Sequence, residues 1–388
     1  MKIGVVFGGQ NVEHDISILT GLELLKTINQ EKYDLVPIYL TKDGKWLTGK
    51  SLTELETYRQ NDFEGTDEFF FSARSGDGKM YANPNKRKFF GKKVLGEIDL
   101  IFNALHGNYG EDGSIQGLFE MMNIPYIGSG VDSSGISMDK IIMKDIYKAN
   151  GLPLVNDYWF YRRVWNTTNK RALLADIEKD LDYPIIVKPS NLGSRIGASL
   201  VEDREELEKA IDLAASYDRK ILLEEAIKDV RMISCFVLGR DEDLKVSPCQ
   251  EILAFDYQED LEERYLATRL ADLDKNSETR IEIPAKITNN IKNKIETLAK
   301  RAFSSIDASG IARVDLLMDD MHNIYVSEIN TLPWTMGLDM CQHMGQSKDK
   351  LINSLINIAI NRNKERNKNI YKIDSNLLFK LDLEDEKD

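Results

Sequence analysis

The chain has 388 residues, 42% of them hydrophobic and 30% charged, with a net charge of −13. That length suits two or three domains, the composition an ordinary soluble globular protein, and the negative balance excludes the broad basic face of a nucleic-acid binder. Three scattered cysteines, Cys235, Cys249 and Cys341, and only four histidines read as reduced thiols in a cytoplasmic protein and speak against a zinc site.

Residues 2–7, "KIGVVF", read as a buried strand, and no signal-peptide anatomy precedes them. The loop "GGQNVEHD" follows, then an apolar-periodic helix from about Ile16 to Ile28 and a second strand, "DLVPIYL". This order opens a parallel α/β sheet. Residues 41–97 are polar and turn-rich, which predicts hairpins and loops inserted in this first domain. "EIDLIFNALHG" restores a buried strand ending at His106 and Gly107. "NYGEDGSIQGLFEMMNIPYIGSG" gives a Gly-rich turn, a helix and a short strand.

"SSGISMDKIIMKDIYKANGLPL" predicts one helix and then an extended run. "YPIIVKPSNLGSRIGASLVED" reads as strand, flexible loop, strand, and "REELEKAIDLAASYD" as an amphipathic helix. "KILLEEAI" and "MISCFVLG" are strands, residues 254–283 a charged loop and residues 286–304 a helix. "ARVDLLMDDMHNIYVSEINTLPW" predicts two short strands and a turn. The helix "DKLINSLINIAINR" ends the compact chain, and residues 365–388 form a charged appendage with a short strand at "LLFKLDL". No apolar run reaches the length of a membrane span, and no internal repeat is visible.

Two stretches carry chemistry. In the last strand pair, Glu328 and Asn330 are two apart and share a face. With the turn at "DDMHN", Asp315 pairs across to that face. Two carboxylates and an amide oxygen suit one or two hard cations; a hairpin with one solvated face is the structural alternative. In "KPSNLGSRIG", Lys188 ends an apolar strand and Gly193, Ser194 and Gly197 form a loop whose N–H groups could cover phosphate oxygens. The order is neither a Walker A loop nor a dinucleotide fingerprint, and a glycine hairpin with a surface lysine remains the alternative. Together, a lysine, a glycine loop, a carboxylate pair and Arg313 are the equipment of an ATP-dependent phosphoryl-transfer enzyme.

The ordered series "GGQNVEHDIS", "ALHGNYGEDGSIQG", "PYIGSG", "SMDK", "VKPSNLGSRIG", "ARVDLL" and "SEINTLP" resembles the ATP-grasp superfamily, and within it the D-alanine–D-alanine ligases. The resemblance covers roughly residues 1–360. It implies an α/β fold of three domains: an N-terminal open parallel domain (1–127), a central lid domain (128–224) and a C-terminal α+β catalytic domain (225–364), with the appendage 365–388 beyond. ATP would bind between the second and third. A carboxylate would attack the γ-phosphate, and an amine would then attack the acyl phosphate to give an amide, ADP and phosphate.

The resemblance also implies roles. Lys140 and Lys188 would bind ATP phosphates, with Glu224 and Ile227 at the adenine edge. Asp315, Glu328 and Asn330 would hold two Mg²⁺, for which Mn²⁺ could stand in. Arg313 would stabilise the acyl phosphate and oxyanion. Glu13 would meet the first substrate's amino group, Ser194 would orient that site, and His106 would line the same pocket. The partners implied are small amino-acid or amine substrates, with no nucleic acid and no membrane; a homodimer is compatible. The implied setting is peptidoglycan biosynthesis in the cytoplasm. Structural readings stand beside these: Glu13 as a helix cap, His106 as a satisfied buried imidazole, Lys140 as a solvated helix charge.

Four positions depart from the family pattern. Trp334 follows Pro333 where the family has glycine. "TMGLDM" lacks the serines that hold the acceptor carboxylate and brings Asp339. Arg231 stands where an acid meets the ribose. The mobile loop lacks its Lys-Tyr, for which Arg264-Tyr265 is the candidate substitute. A ligase of a different amino-acid or amine pair, and a nucleotide-binding protein with little turnover, are therefore the alternatives to a D-alanine–D-alanine ligase.

Overall fold

The structure is a computed structural model and describes residues 1–84, 93–193, 195–253, 281–375 and 377–378. Ser194, Arg264, Tyr265, residues 254–280 of the expected charged loop and most of the strand expected at "LLFKLDL" lie outside the described residues.

Three sheets organise the chain. The first runs Val94–Glu97, Lys79–Ala82, Asp67–Phe71, Trp46–Thr48, Asp34–Leu40, Lys2–Gly8, Leu100–Asn103, Tyr126–Ile127. Its last four strands are parallel. Lys2–Gly8 is buried on both faces after its first residue, the usual state of a central parallel strand. The hairpins expected in residues 41–97 are present: four of their segments pair antiparallel, in order, and lengthen the sheet. The helix His14–Thr27 packs over Lys2–Gly8 and buries Ile18, Leu22 and Leu25 in the same core as Val5 and Phe7.

The second sheet, Ser199–Val201, Ile185–Pro189, Lys220–Glu225, Asp157–Tyr161, is antiparallel. Two helices, Lys170–Asp180 and Arg204–Tyr217, cover one face. They pack Leu173, Ile177, Leu207 and Ile211 against Ile185 and Val187, residues two apart on one side of a strand. The third sheet runs Ile281–Glu282, Gln250–Ile252, Arg231–Arg240, Gly310–Met318, Ile324–Asn330, with Asp243–Val246 hydrogen-bonded to Arg231–Arg240. The helix Asn289–Ser305 backs it with Ile295, Leu298, Ala302 and Phe303. The C-terminal helix Lys348–Arg366 returns to the first core through Leu351, Leu355 and Ile356. Among the described residues no helix is long and apolar enough to cross a membrane.

One expectation changes at Asp139. The single helix expected from "SSGISMDKIIMKDIYKAN" is two, Val131–Met138 and Lys140–Ala149. Asp139 has left the helical region (φ −91°, ψ 98°) and caps the second helix, accepting from the N–H groups of Ile141 and Ile142. The same carboxylate accepts from Ser190 Oγ at 2.8 Å and Lys220 Nζ at 2.5 Å, both on the second sheet's side. Burial disfavours the charge, but Lys220 and Ser190 outweigh it and hold the carboxyl below its usual range. The break starts a new helix at Lys140.

Candidate active site

A cavity of 240 Å³ opens between the second and third sheets and reaches the first domain. Glu13, Glu111, Lys140, Lys188, Arg195, Glu224, Arg313, Asp315, Glu328, Asn330, Trp334 and Asp339 all line it. A larger space of 1630 Å³, around Tyr39, Tyr58 and Lys42 in the first domain, contains none of these residues.

Strand register builds the cation side. Asp315 is paired directly with Glu328, and Arg313 with Asn330. Because both intervals are two residues, all four side chains stand on one face. Arg313 forks onto Asp315, Nε to Oδ1 and Nη2 to Oδ2, each at 2.8 Å. Burial opposes the Arg313 charge, but Asp315, Glu328 and Asp339 outweigh it and raise its pKa. Burial likewise opposes the Glu328 charge; Lys140, Lys188, Arg313 and Arg195 overcome it and hold the carboxyl at about 2. Asn330 Oδ1 accepts from Leu332 N–H at 2.8 Å, which fixes the amide oxygen as an acceptor. Two carboxylates and an oriented amide oxygen fit a hard divalent cation, which takes one or two carboxylates and leaves places for phosphate oxygens.

The side expected to meet the nucleotide is rich in lysine. Lys140 Nζ donates to the Leu192 carbonyl at 2.7 Å and lies 3.7 Å from Glu328, so it is a cavity group and not a solvated helix charge. Lys188 pairs with Glu224, and Lys144 reaches the same carboxylate at 2.5 Å. Against the cost of burial, Lys144 and Lys188 keep Glu224 ionised, at about 2. Ile227, expected at the adenine edge, is half-buried and does not line the cavity. It lies beyond the end of the strand Lys220–Glu225, while Met232, Ser234, Gln250, Ile252 and Ile281 supply the wall. Arg231 is also absent from the wall: it forks onto Glu251 at 2.7 and 2.6 Å.

On the first domain's side, Glu13 stands at the N-cap of His14–Thr27, yet its side chain makes no capping hydrogen bond. Its carboxylate lies against two glycines. A Cβ at Gly107 (φ +69°) would come within 2.7 Å of Glu13 Oε2, and one at Gly193 within 3.1 Å. Glycine is thus required at Gly107 by both backbone and space. His106 does not line the cavity, contrary to expectation: it is fully buried behind it. Its Nε2 is 3.0 Å from Thr20 Oγ1 and its Nδ1 3.3 Å from Glu111 Oε1. Burial lowers His106 to about 4 and raises Glu111 to about 8.

The run after Asn330 divides between core and cavity. Met336, Leu338 and Met340 enter the first domain's core, which leaves Trp334, Thr335 and Asp339 on the cavity wall. Thr335 Oγ1 donates to Asp339 Oδ1 at 2.6 Å. The residues that the sequence reading missed are Glu111, Thr20 and Lys144. Glu111 lies inside the quoted "NYGEDG", five residues after His106, and Lys144 is four after Lys140 on one helix face; Thr20 gave no signal.

The N-terminal model of the D-ala D-ala ligases matches residues 2–129, and the C-terminal model residues 146–357. The chain belongs to the D-alanine–D-alanine ligase family. It is 38% identical to the D-alanine–D-alanine ligase of Thermosipho africanus over 99% of this chain and all of that protein. The ligase of Natranaerobius thermophilus is 36% identical over 95% and 97% of the two chains. Among solved structures, the D-alanine–D-alanine ligase of Coxiella burnetii superposes with a TM-score of 0.76 at 25% identity, covering 95% of this chain and 96% of that one. The VanG D-Ala:D-Ser ligase of Enterococcus faecalis gives 0.76 at 27%, covering 92% and 99%. The chain is therefore an ATP-grasp ligase, which forms a peptide bond through an acyl phosphate at the expense of ATP, and the family uses a divalent metal.

Proposed function

We propose that this ligase takes D-alanine as its donor and D-alanine as its acceptor. Full-length similarity to ligases of that name supports the reading. The observation that carries it is Glu13, a buried carboxylate on the wall of the cavity that Arg313 and Glu328 also line. There it can hold a donor ammonium while the donor carboxylate turns to the phosphate. Lys140 and Lys188 hold the phosphates and Glu224 the adenine edge. Asp315, Glu328 and Asn330 hold two Mg²⁺ ions, with Mn²⁺ able to replace them; the bound metal neutralises phosphate charge. Arg313 meets the charge that develops on the reacting carbonyl oxygen. Ser194, next to Gly193 in the sequence, would orient the donor.

A second reading is favoured by Trp334 and Asp339, which both face the cavity. Asp339 opposes an acceptor carboxylate, and a ring at Trp334 fills space beside it. An acceptor with a hydroxyl, amine or cationic group would suit this wall better than D-alanine. Mass spectrometry of the products, with D-alanine alone and then with a panel of amino acids and amines, separates the two. Saturable D-alanyl-D-alanine synthesis at ordinary ligase rates supports the first. Its absence, with a mixed product whose identity changes in Trp334→Gly, supports the second. Nucleotide binding without phosphate release under any pair would refute both.

A further inference from the structure

Behind the cavity wall a chain of hydrogen bonds runs from His106 through Thr20 to the Trp334 carbonyl. Thr20 Oγ1 is 3.0 Å from the carbonyl oxygen of Trp334. That oxygen can only accept, so the single hydroxyl proton of Thr20 points to it. His106 Nε2, 3.0 Å from the same Oγ1, must then donate its N–H. The ring's Nδ1 lies 3.3 Å from Glu111 Oε1. Burial drives both groups the same way, His106 down and Glu111 up. The ring also bonds the main chain of Leu332. Thr20 is 3% exposed and His106 fully buried, so water does not replace these partners cheaply.

The two main-chain groups at the far end, Leu332 and Trp334, flank Pro333 at the start of the run that carries Trp334, Thr335 and Asp339 to the cavity. Thr20 itself is on the helix that begins at Glu13's cap position. We propose that Thr20 is a positioning residue for the acceptor: its hydroxyl, held by His106, fixes the Trp334 carbonyl and with it the wall that the acceptor meets. The proposal rests on the reading that this run borders the acceptor. Thr20 itself lines neither the nucleotide side nor the cation face, so its main effect is expected on the acceptor.

The test compares Thr20→Val, which keeps the volume and removes the hydroxyl, with Thr20→Ser, which keeps the hydroxyl. Amide synthesis is followed at saturating Mg·ATP and donor while the acceptor is varied, and ADP binding is measured without amino acids. Thr20→Val is expected to raise the acceptor KM about tenfold, the usual scale of one buried hydrogen bond, with the ADP Kd unchanged. Thr20→Ser is expected to stay within twofold of the parent. If Thr20→Val does not fold, as judged by circular dichroism, Thr20→Cys takes its place under the same outcomes. An unchanged acceptor KM in the hydroxyl-free variant, with acceptor use altered in Trp334→Gly, would overturn the role of Thr20 and leave the acceptor run in place. An acceptor KM indifferent to Trp334→Gly would remove the run from the acceptor site. A changed ADP Kd, or a serine variant as impaired as the valine one, would also overturn the proposal.

Discussion

Arg313 and Asp315 stand two residues apart on one strand and are joined by two parallel hydrogen bonds of 2.8 Å. The fork holds the guanidinium flat against the face where Glu328 and Asn330 are paired. A cation taken up by Asp315 would share this carboxylate with the arginine.

Arg313→Lys keeps the charge but cannot form the fork. Turnover should fall by about 10²–10³, the scale of losing one oriented donor to a developing oxyanion. ADP affinity should change little, because Arg313 does not belong to the Lys140–Lys188–Glu224 side. Phosphate release and ADP titration measure the two effects, and equal losses in both would count against the assignment.

Glu328→Gln keeps the shape of the cation face and removes a charge. Mg²⁺-dependent turnover should drop far more than stability. The Glu328 carboxyl is held at about 2 against an ordinary 4.5. Its charge therefore favours the fold above pH 4.5, and that contribution fades as pH falls toward 2. In acid unfolding without nucleotide or metal, the variant should lose less stability over that window than the parent. Unchanged Mg²⁺-dependent turnover would take this residue out of the mechanism.

Lys144 is 2% exposed and shares Glu224 with Lys188, while Asp157 lies 3.7 Å away. Lys144→Met leaves Glu224 with one partner in a buried place. Breaking a buried pair on one side costs about 3 kcal/mol, read as a lower urea midpoint. ADP should also bind more weakly, since Glu224 then draws Lys188 away from a phosphate. A variant as stable as the parent would show that Lys188 alone neutralises Glu224.

The Glu111–His106 pair predicts an unusual stability profile. Glu111 titrates near 8 in the fold against 4.5 ordinarily. Its contribution is complete below pH 4.5 and is lost as pH rises to 8. His106 titrates near 4 against 6.5. Its contribution is present above 6.5 and is lost as pH falls to 4. Between 6.5 and 8 only Glu111 of the two acts, and stability should fall with a slope of at most about 1.4 kcal/mol per pH unit. Glu111→Gln, whose amide can still donate to Nδ1, should flatten that slope. Urea unfolding at both ends of the window, without nucleotide or divalent metal, gives the comparison.

Much of the molecule was legible in one dimension because its signals are local. Period-two alternation put Glu328 and Asn330 on one face. The turn at "DDMHN" by itself would set Asp315 opposite Ser327; a register shift between Asp315 and Leu316 brings it opposite Glu328. The glycine-punctuated order of motifs gave the fold class. What the tertiary structure decided depends on contacts between distant segments. Asp139 breaks a helix because Lys220 and Ser190, more than fifty residues away, compete for it. Arg231 leaves the cavity wall because Glu251 on the neighbouring strand takes its fork. His106 withdraws behind the wall, where burial removes the water that would otherwise stabilise its charge. Thr20 has no sequence signal at all, since a hydroxyl acquires its role only when folding brings a carbonyl 314 residues away to within 3.0 Å.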